Sequence, residues 1–229
     1  MSPSSRFQEM ADHIESAAAC LLPSEVDPTG AYTPEAYIRA SGFRVLVHAE
    51  IEAYIEDRVR EIALSAVRAW KAGQGPSHPA LCLIAYSGIE MKQPPVAMQP
   101  KGPAGFEAWA MRARLGTKLD SAMRSFAYSI SQNHGIKEEN LLRLLLPVGI
   151  ALDDLDTVFV ADMNSFSELR GEAAHSSASA RRRIDPSDDR AVVQSITSGL
   201  MRIDAILDAL LAQVPSPTTL DEGLGVQHL

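Results

Sequence analysis

Apolar residues recur every three or four positions over most of the chain. Phe43, Val47, Ile51, Ile55, Val59, Ile62, Ala66 and Trp70 fall on one face of a single long helix, since about 3.6 residues complete a turn. Thr33 is suited to cap that helix, with Pro34 at its first position and its end near Gly73. A second stripe, Val193, Ile196, Leu200, Ile203, Leu207, Leu210 and Val214, follows "DPSDD". There Asp185 is the expected cap, Pro186 follows it, and Asp188 and Asp189 suit the positive end of the helix dipole. Such a stripe belongs to a core or a subunit contact.

A third stripe predicts a helix over 106–133, through Trp109, Met111, Leu115, Leu119, Met123, Phe126 and Ile130. Asn133 and His134 end it, His134 read as a capping residue and Gly135 as a left-handed cap. Shorter helices are expected over 6–22, stopped by Pro23, and from Glu138 to just before Pro147. One or two more are expected between 153 and 170. No sustained alternation of apolar and polar residues calls for a sheet, so the predicted fold class is all-α, a helical bundle.

One stretch breaks the pattern. Residues 71–105 hold six of the fourteen prolines and five glycines, which excludes a continuous helix and reads as a long irregular insertion. "ALCLIAY" (Ala80 to Tyr86) inside it fits a short helix or a short strand. The expected division is a short helix and linker over 1–34, a helical domain over 35–214 and a loose tail over 215–229.

Composition narrows the function. The chain has 229 residues, 46% of them hydrophobic, and a net charge of −8. A globular balance with this acidity excludes a general polyanion binder, so any nucleic-acid contact must come from a local basic patch. Cys20 and Cys82 are isolated thiols that fit a reducing compartment. The longest apolar run, 141–152, is interrupted by Arg143, Pro147 and Gly149 and is too short to span a bilayer. Asp12 and Glu15 sit where the apolar core of a signal peptide would lie before "AAACLL". A cytoplasmic protein without membrane contact is the expectation.

There is no phosphate-binding glycine loop, no dinucleotide fingerprint, no HExxH and no paired CxxC. Neither a cofactor nor a metal is expected. What remains is "ELRGEAAHSS", which carries Arg170 and His175 in the predicted last turn of a helix. Residues five apart lie about 140° apart around a helix, so these two do not converge side by side. Both can face a cleft between helices or between subunits. Gly171, Ala173 and Ala174 allow a close approach there, and Arg181, Arg182 and Arg183 supply local positive charge. Arg6 and His13 have similar spacing but sit near the terminus and are given no role.

The Arg170–His175 stretch resembles the R-x4-6-H signature of HEPN domains, helical bundles common among prokaryotic ribonucleases of toxin–antitoxin and phage-defence systems. "FRVLVHAEIEAYIEDRV" (Phe43 to Val59), "NHGIKEENLLRLLLPVGI" (Asn133 to Ile150) and "LRGEAAHSS" occur in the order of the RiboL-PSP-HEPN subgroup, and together cover about 35–212. The resemblance implies an HEPN-like bundle, RNA as substrate, and Arg170 and His175 as catalytic residues. It also implies a homodimer that brings two motifs together, with an antitoxin or other defence protein as a possible partner. Many members carry a polar residue directly after the motif arginine, where this chain has Gly171. That departure supports an alternative, a non-catalytic HEPN module binding RNA, nucleotide or a partner protein.

Other residues have ordinary readings beside functional ones. His175 is suited to capping or packing, and Arg170 to an ion pair with Glu168 or Glu172. His48 and Glu52, four apart on one helix face, form a surface pair or the supporting partners of a catalytic histidine. Glu172 is a further supporting candidate. Arg181, Arg182 and Arg183 are either a solvated loop or an RNA contact.

Overall fold

The computed structural model describes residues 2–25, 27, 29–88, 104–175 and 185–215, with side chains left out over 104–113 and 171–175. Among the described residues there are seven α-helices and no strand: α1 (Ser5–Leu21), α2 (Pro34–Lys71), α3 (His78–Ala85), α4 (Ala104–Ser131), α5 (Glu138–Leu145), α6 (Thr157–His175) and α7 (Pro186–Ala212). The all-α class is therefore met.

The long helix α2 is the axis of the bundle. Thr33 caps it by accepting from the Ala36 N–H, and Pro34 starts it. Its 38 residues span about 57 Å at 1.5 Å per residue. All eight residues of its apolar stripe are buried, and α2 packs against each of the other six helices. Burying a face on many neighbours is what stabilises a helix of this length, since propensity alone is weak.

The first helix is no loose arm. Phe7, Met10, Ile14 and Ala18 pack into the common core, and Ser4 gives both its N–H and its hydroxyl proton to Asp204, each at 2.7 Å. The buried Asp204 also accepts from Tyr54 Oη at 2.8 Å and Arg58 Nε at 3.2 Å, so its charge is matched on all sides. Arg6, assigned no role in the sequence, bonds Glu50 at 2.9 Å and Asp57 at 3.0 Å.

Within the proline-rich stretch, "ALCLIAY" takes the helical alternative as α3, capped by Ser77 with Pro79 in its first turn. Ala80 and Leu83 are buried. Residues 89–103 lie outside the described residues, so the rest of the expected insertion is not described. A 3-10 turn, Leu146–Val148, follows α5 and ends at Gly149, whose φ is +106°. A Cβ there would also meet the His78 ring at 2.8 Å, so both backbone and space call for glycine.

α7 begins as expected, with Asp185 accepting from the Ser187 N–H at 2.8 Å. Its apolar stripe from Val193 to Leu210 is buried within the chain. That is the core alternative of the sequence reading. Asp189 does not simply face the dipole either. It is buried in an ion pair with Arg44 of α2.

Candidate functional site

Four polar residues recur every fourth position along α2, namely Arg44, His48, Glu52 and Glu56, beside the apolar stripe. The spacing keeps them near one face, and that face meets α6. Arg44 donates to the Phe166 carbonyl oxygen at 3.2 Å and lies 4.5 Å above the Phe166 ring, a cation–π contact. One turn on, His48 Nε2 is 3.3 Å from Ser167 Oγ. Glu52 follows and feels the charge of Arg170.

His48 is 1% exposed. Its Nδ1 is 3.6 Å from Glu52 Oε2, too long for a hydrogen bond, and is left unpartnered. Burial, and then the nearby Arg170 charge, push its pKa down to about 4. The ring is therefore neutral at pH 7, an arrangement that fits a proton on Nδ1 and Nε2 accepting from Ser167. Glu52 is pushed up from the ordinary carboxylate range, first by burial and then by Glu56, while Arg170 and His134 oppose that rise.

The corner between α4 and α5 closes the niche. Asn133 is buried and donates its amide to Glu56 Oε1 at 3.0 Å and Glu52 Oε1 at 3.4 Å. Its own carbonyl oxygen accepts from the Asn140 amide at 3.0 Å. Asn164 of α6 accepts the Glu138 N–H at 2.9 Å, and Lys137 pairs with Glu168 at 3.4 Å. The corner is thus tied to α2, α5 and α6.

The capping readings at this corner are corrected. α4 ends at Ser131, two residues earlier than expected. Gly135 is not among the glycines with positive φ. A Cβ there would lie 3.3 Å from Asn140 Oδ1, a close approach. His134 is exposed and makes no hydrogen bond among the described residues.

Arg170 is half-buried in α6, and its Nε is buried without a hydrogen-bond partner. His48 Nδ1 and Arg170 Nε are the two such buried, unpartnered side-chain atoms among the described residues. Glu168, one expected partner of Arg170, is taken by Lys137. α6 ends at His175, so both motif residues do lie on its final turns. The side chains of Glu172 and His175, and all of Arg181, Arg182 and Arg183, lie outside the described residues.

The structure thus brings together Arg170, His48 and Glu52, which the sequence singled out. It adds Glu56, Asn133, Asn140 and Ser167, which sequence reasoning missed, and gives His134 a different place. The four-residue recurrence of Arg44, His48, Glu52 and Glu56 was the signal that could have found Glu56. Chemically, the niche offers the Arg170 guanidinium, a group able to fork onto phosphate oxygens, with the Glu52 carboxylate in its field. Among the described residues no group of three or more His, Cys, Asp or Glu is arranged to hold a metal ion, and no helix is long and apolar enough to cross a membrane. Comparison of the chain with protein-family models, curated proteins and solved structures finds no match.

Proposed function

We propose that the chain is a metal-independent endoribonuclease of the HEPN type, with Arg170 and His175 acting on the RNA phosphodiester. RNA carries its own nucleophile in the 2′-hydroxyl. Cleavage needs that proton removed, a proton delivered to the departing 5′-oxygen, and positive charge on the phosphorane-like transition state. An imidazole moves protons near neutral pH, and an arginine stays charged and stabilises the developing negative charge.

One observation carries the reading. Three segments that resemble the family and lie far apart in sequence, around His48, Asn133 and Arg170, meet in one niche. It is also where the unpartnered His48 Nδ1 and Arg170 Nε lie. Unsatisfied and electrostatically shifted groups gather at functional sites more often than elsewhere. A homodimer would set two such niches against each other through an isologous contact. RNA, and an antitoxin or other defence protein in the cytoplasm, are the partners this reading brings with it.

A second reading has its own support. Glu52 lies in the field of Arg170 and offsets its charge, and Gly171 replaces a polar residue after the motif arginine. On that reading the module binds RNA, nucleotide or a partner protein without cleaving. Incubating a synthetic oligoribonucleotide with the protein in excess EDTA separates the two. The ribonuclease reading requires a fragment ending in a 2′,3′-cyclic phosphate; binding without any cleavage supports the second reading.

A further inference from the structure

A cavity of about 160 Å³ lies between α3, α4 and the end of α5, and shares no lining residue with the Arg170 niche. Its floor is apolar: Leu83 and Phe126 are buried, and Leu146 of the 3-10 turn is half-buried. Its rim is polar, with Tyr86, Ser125 and Arg143, all exposed. Arg143 is the one charged residue among the described residues that line it, in a chain whose net charge is −8. A place in the last turn of α5 suits that charge to the helix dipole, but the dipole leaves the N–H donors unused. The Arg143 guanidinium and the Tyr86 and Ser125 hydroxyls make no hydrogen bond or ion pair among the described residues.

We propose that this cavity binds a small monocarboxylate with an apolar body, a short-chain or aromatic acid. The inference is independent of the ribonuclease reading. Small-molecule sites are mostly apolar with a few convergent polar groups, and drug-sized ligands take roughly 300–1,000 Å³. This cavity is smaller and suits a compact ligand. The apolar body would sit on Leu83, Phe126 and Leu146, where removing apolar surface from water is favourable. A guanidinium presents a planar fork that meets a carboxylate with two parallel hydrogen bonds, and the two hydroxyls are further donors. Charge selects between anions. One arginine balances the single charge of a carboxylate, whereas a phosphate monoester brings about −1.5 to −2 near pH 7 into a chain that is already acidic.

The test titrates benzoate into the full chain and follows binding by ligand-observed NMR. Benzamide serves as the uncharged counterpart of the same shape, and phenyl phosphate as the more highly charged one. Circular dichroism checks that each variant is folded. Wild type should bind benzoate saturably, and benzamide about ten- to a hundredfold more weakly, the worth of a hydrogen bond to a charged group. Arg143→Gln should lower benzoate binding to the benzamide level. Ser125→Trp, which sets an indole over the mouth from an exposed position, should remove binding of both. Arg170→Ala should bind benzoate as wild type does. If wild type shows no saturable benzoate binding, or folded Arg143→Gln binds it equally well, the proposal is overturned. Undiminished binding by Ser125→Trp, or its loss in folded Arg170→Ala, would place the benzoate elsewhere and overturn it too. Phenyl phosphate bound more tightly than benzoate would make the cavity a phosphate site and sink the carboxylate assignment.

Discussion

Nδ1 of His48 stands 3.6 Å from Oε2 of Glu52, one turn further along α2, and no hydrogen bond joins them. The two groups respond to burial in opposite senses. His48 resists protonation down to about pH 4, whereas Glu52 holds its proton to higher pH than an ordinary carboxylate.

That contrast gives a pH dependence with a definite sign. In the unfolded chain His48 takes up a proton near pH 6.5; in the folded chain it does so only near 4. Between those values the unfolded state binds more protons, so stability falls as pH falls. The full shift corresponds to about 3 kcal/mol. Glu52 works against it: its raised folded pKa stabilises the fold as pH falls through the window just above its unfolded value. Replacing His48→Gln isolates the histidine. Urea unfolding at pH 7 and pH 4 should show wild type losing about 3 kcal/mol more than the variant over that range. Equal losses in both proteins would mean that His48 is not held neutral.

Asn133 separates two carboxylates by donating to both. Asn133→Ala removes that donor and leaves Glu52 and Glu56 facing each other. A loss of about 2–3 kcal/mol is expected in urea at pH 7. Asn133→Asp adds a third carboxylate and should cost more, with the gap between the two variants narrowing in acid as carboxylates protonate. Two variants of equal stability at pH 7 would contradict the clamp.

The packing of α6 on α7 has a sharp steric test. A Cβ at Gly199 would lie 2.2 Å from Phe159 Cδ2, and Phe159 is buried. Gly199→Ala should destabilise by about 1–3 kcal/mol through overpacking, even though alanine favours helices. Phe159→Leu in the same chain should recover part of that loss. A thermal melt in which Gly199→Ala is as stable as wild type would show that the helices are not this close.

Much of the bundle was legible in the sequence because it rests on periodicity and caps. The buried stripe of α2, the Thr33–Pro34 start and the Asp185–Pro186 start are all local signals, and all are present. The α4–α5 corner was misjudged because its order comes from distant partners. Asn133 ends near a helix C-terminus, where capping is the ordinary local use, but its side chain reaches Glu52 and Glu56 some eighty residues earlier in the chain. The start of α1 likewise carries a contact no local signal shows: Ser4 is held by Asp204, 200 residues away. Of the site, Arg170, His48 and Glu52 were legible singly. That they share one niche was not, because the angle at which α6 crosses α2 is a tertiary property.

The central claim is that Arg170 and His175 cleave RNA through the 2′-hydroxyl. The most direct measurement is the cleavage rate of an all-RNA oligonucleotide in excess EDTA by wild type, Arg170→Lys, Arg170→Ala and His175→Ala, with an all-DNA oligonucleotide of the same sequence as control. Wild type is predicted to cleave only the RNA. His175→Ala should be slower by about a hundred- to ten-thousand-fold, and Arg170→Lys should fall between wild type and Arg170→Ala, since lysine keeps the charge and loses the fork. Equal cleavage of the DNA, loss of wild-type activity on chelation, or undiminished cleavage by folded His175→Ala would contradict it.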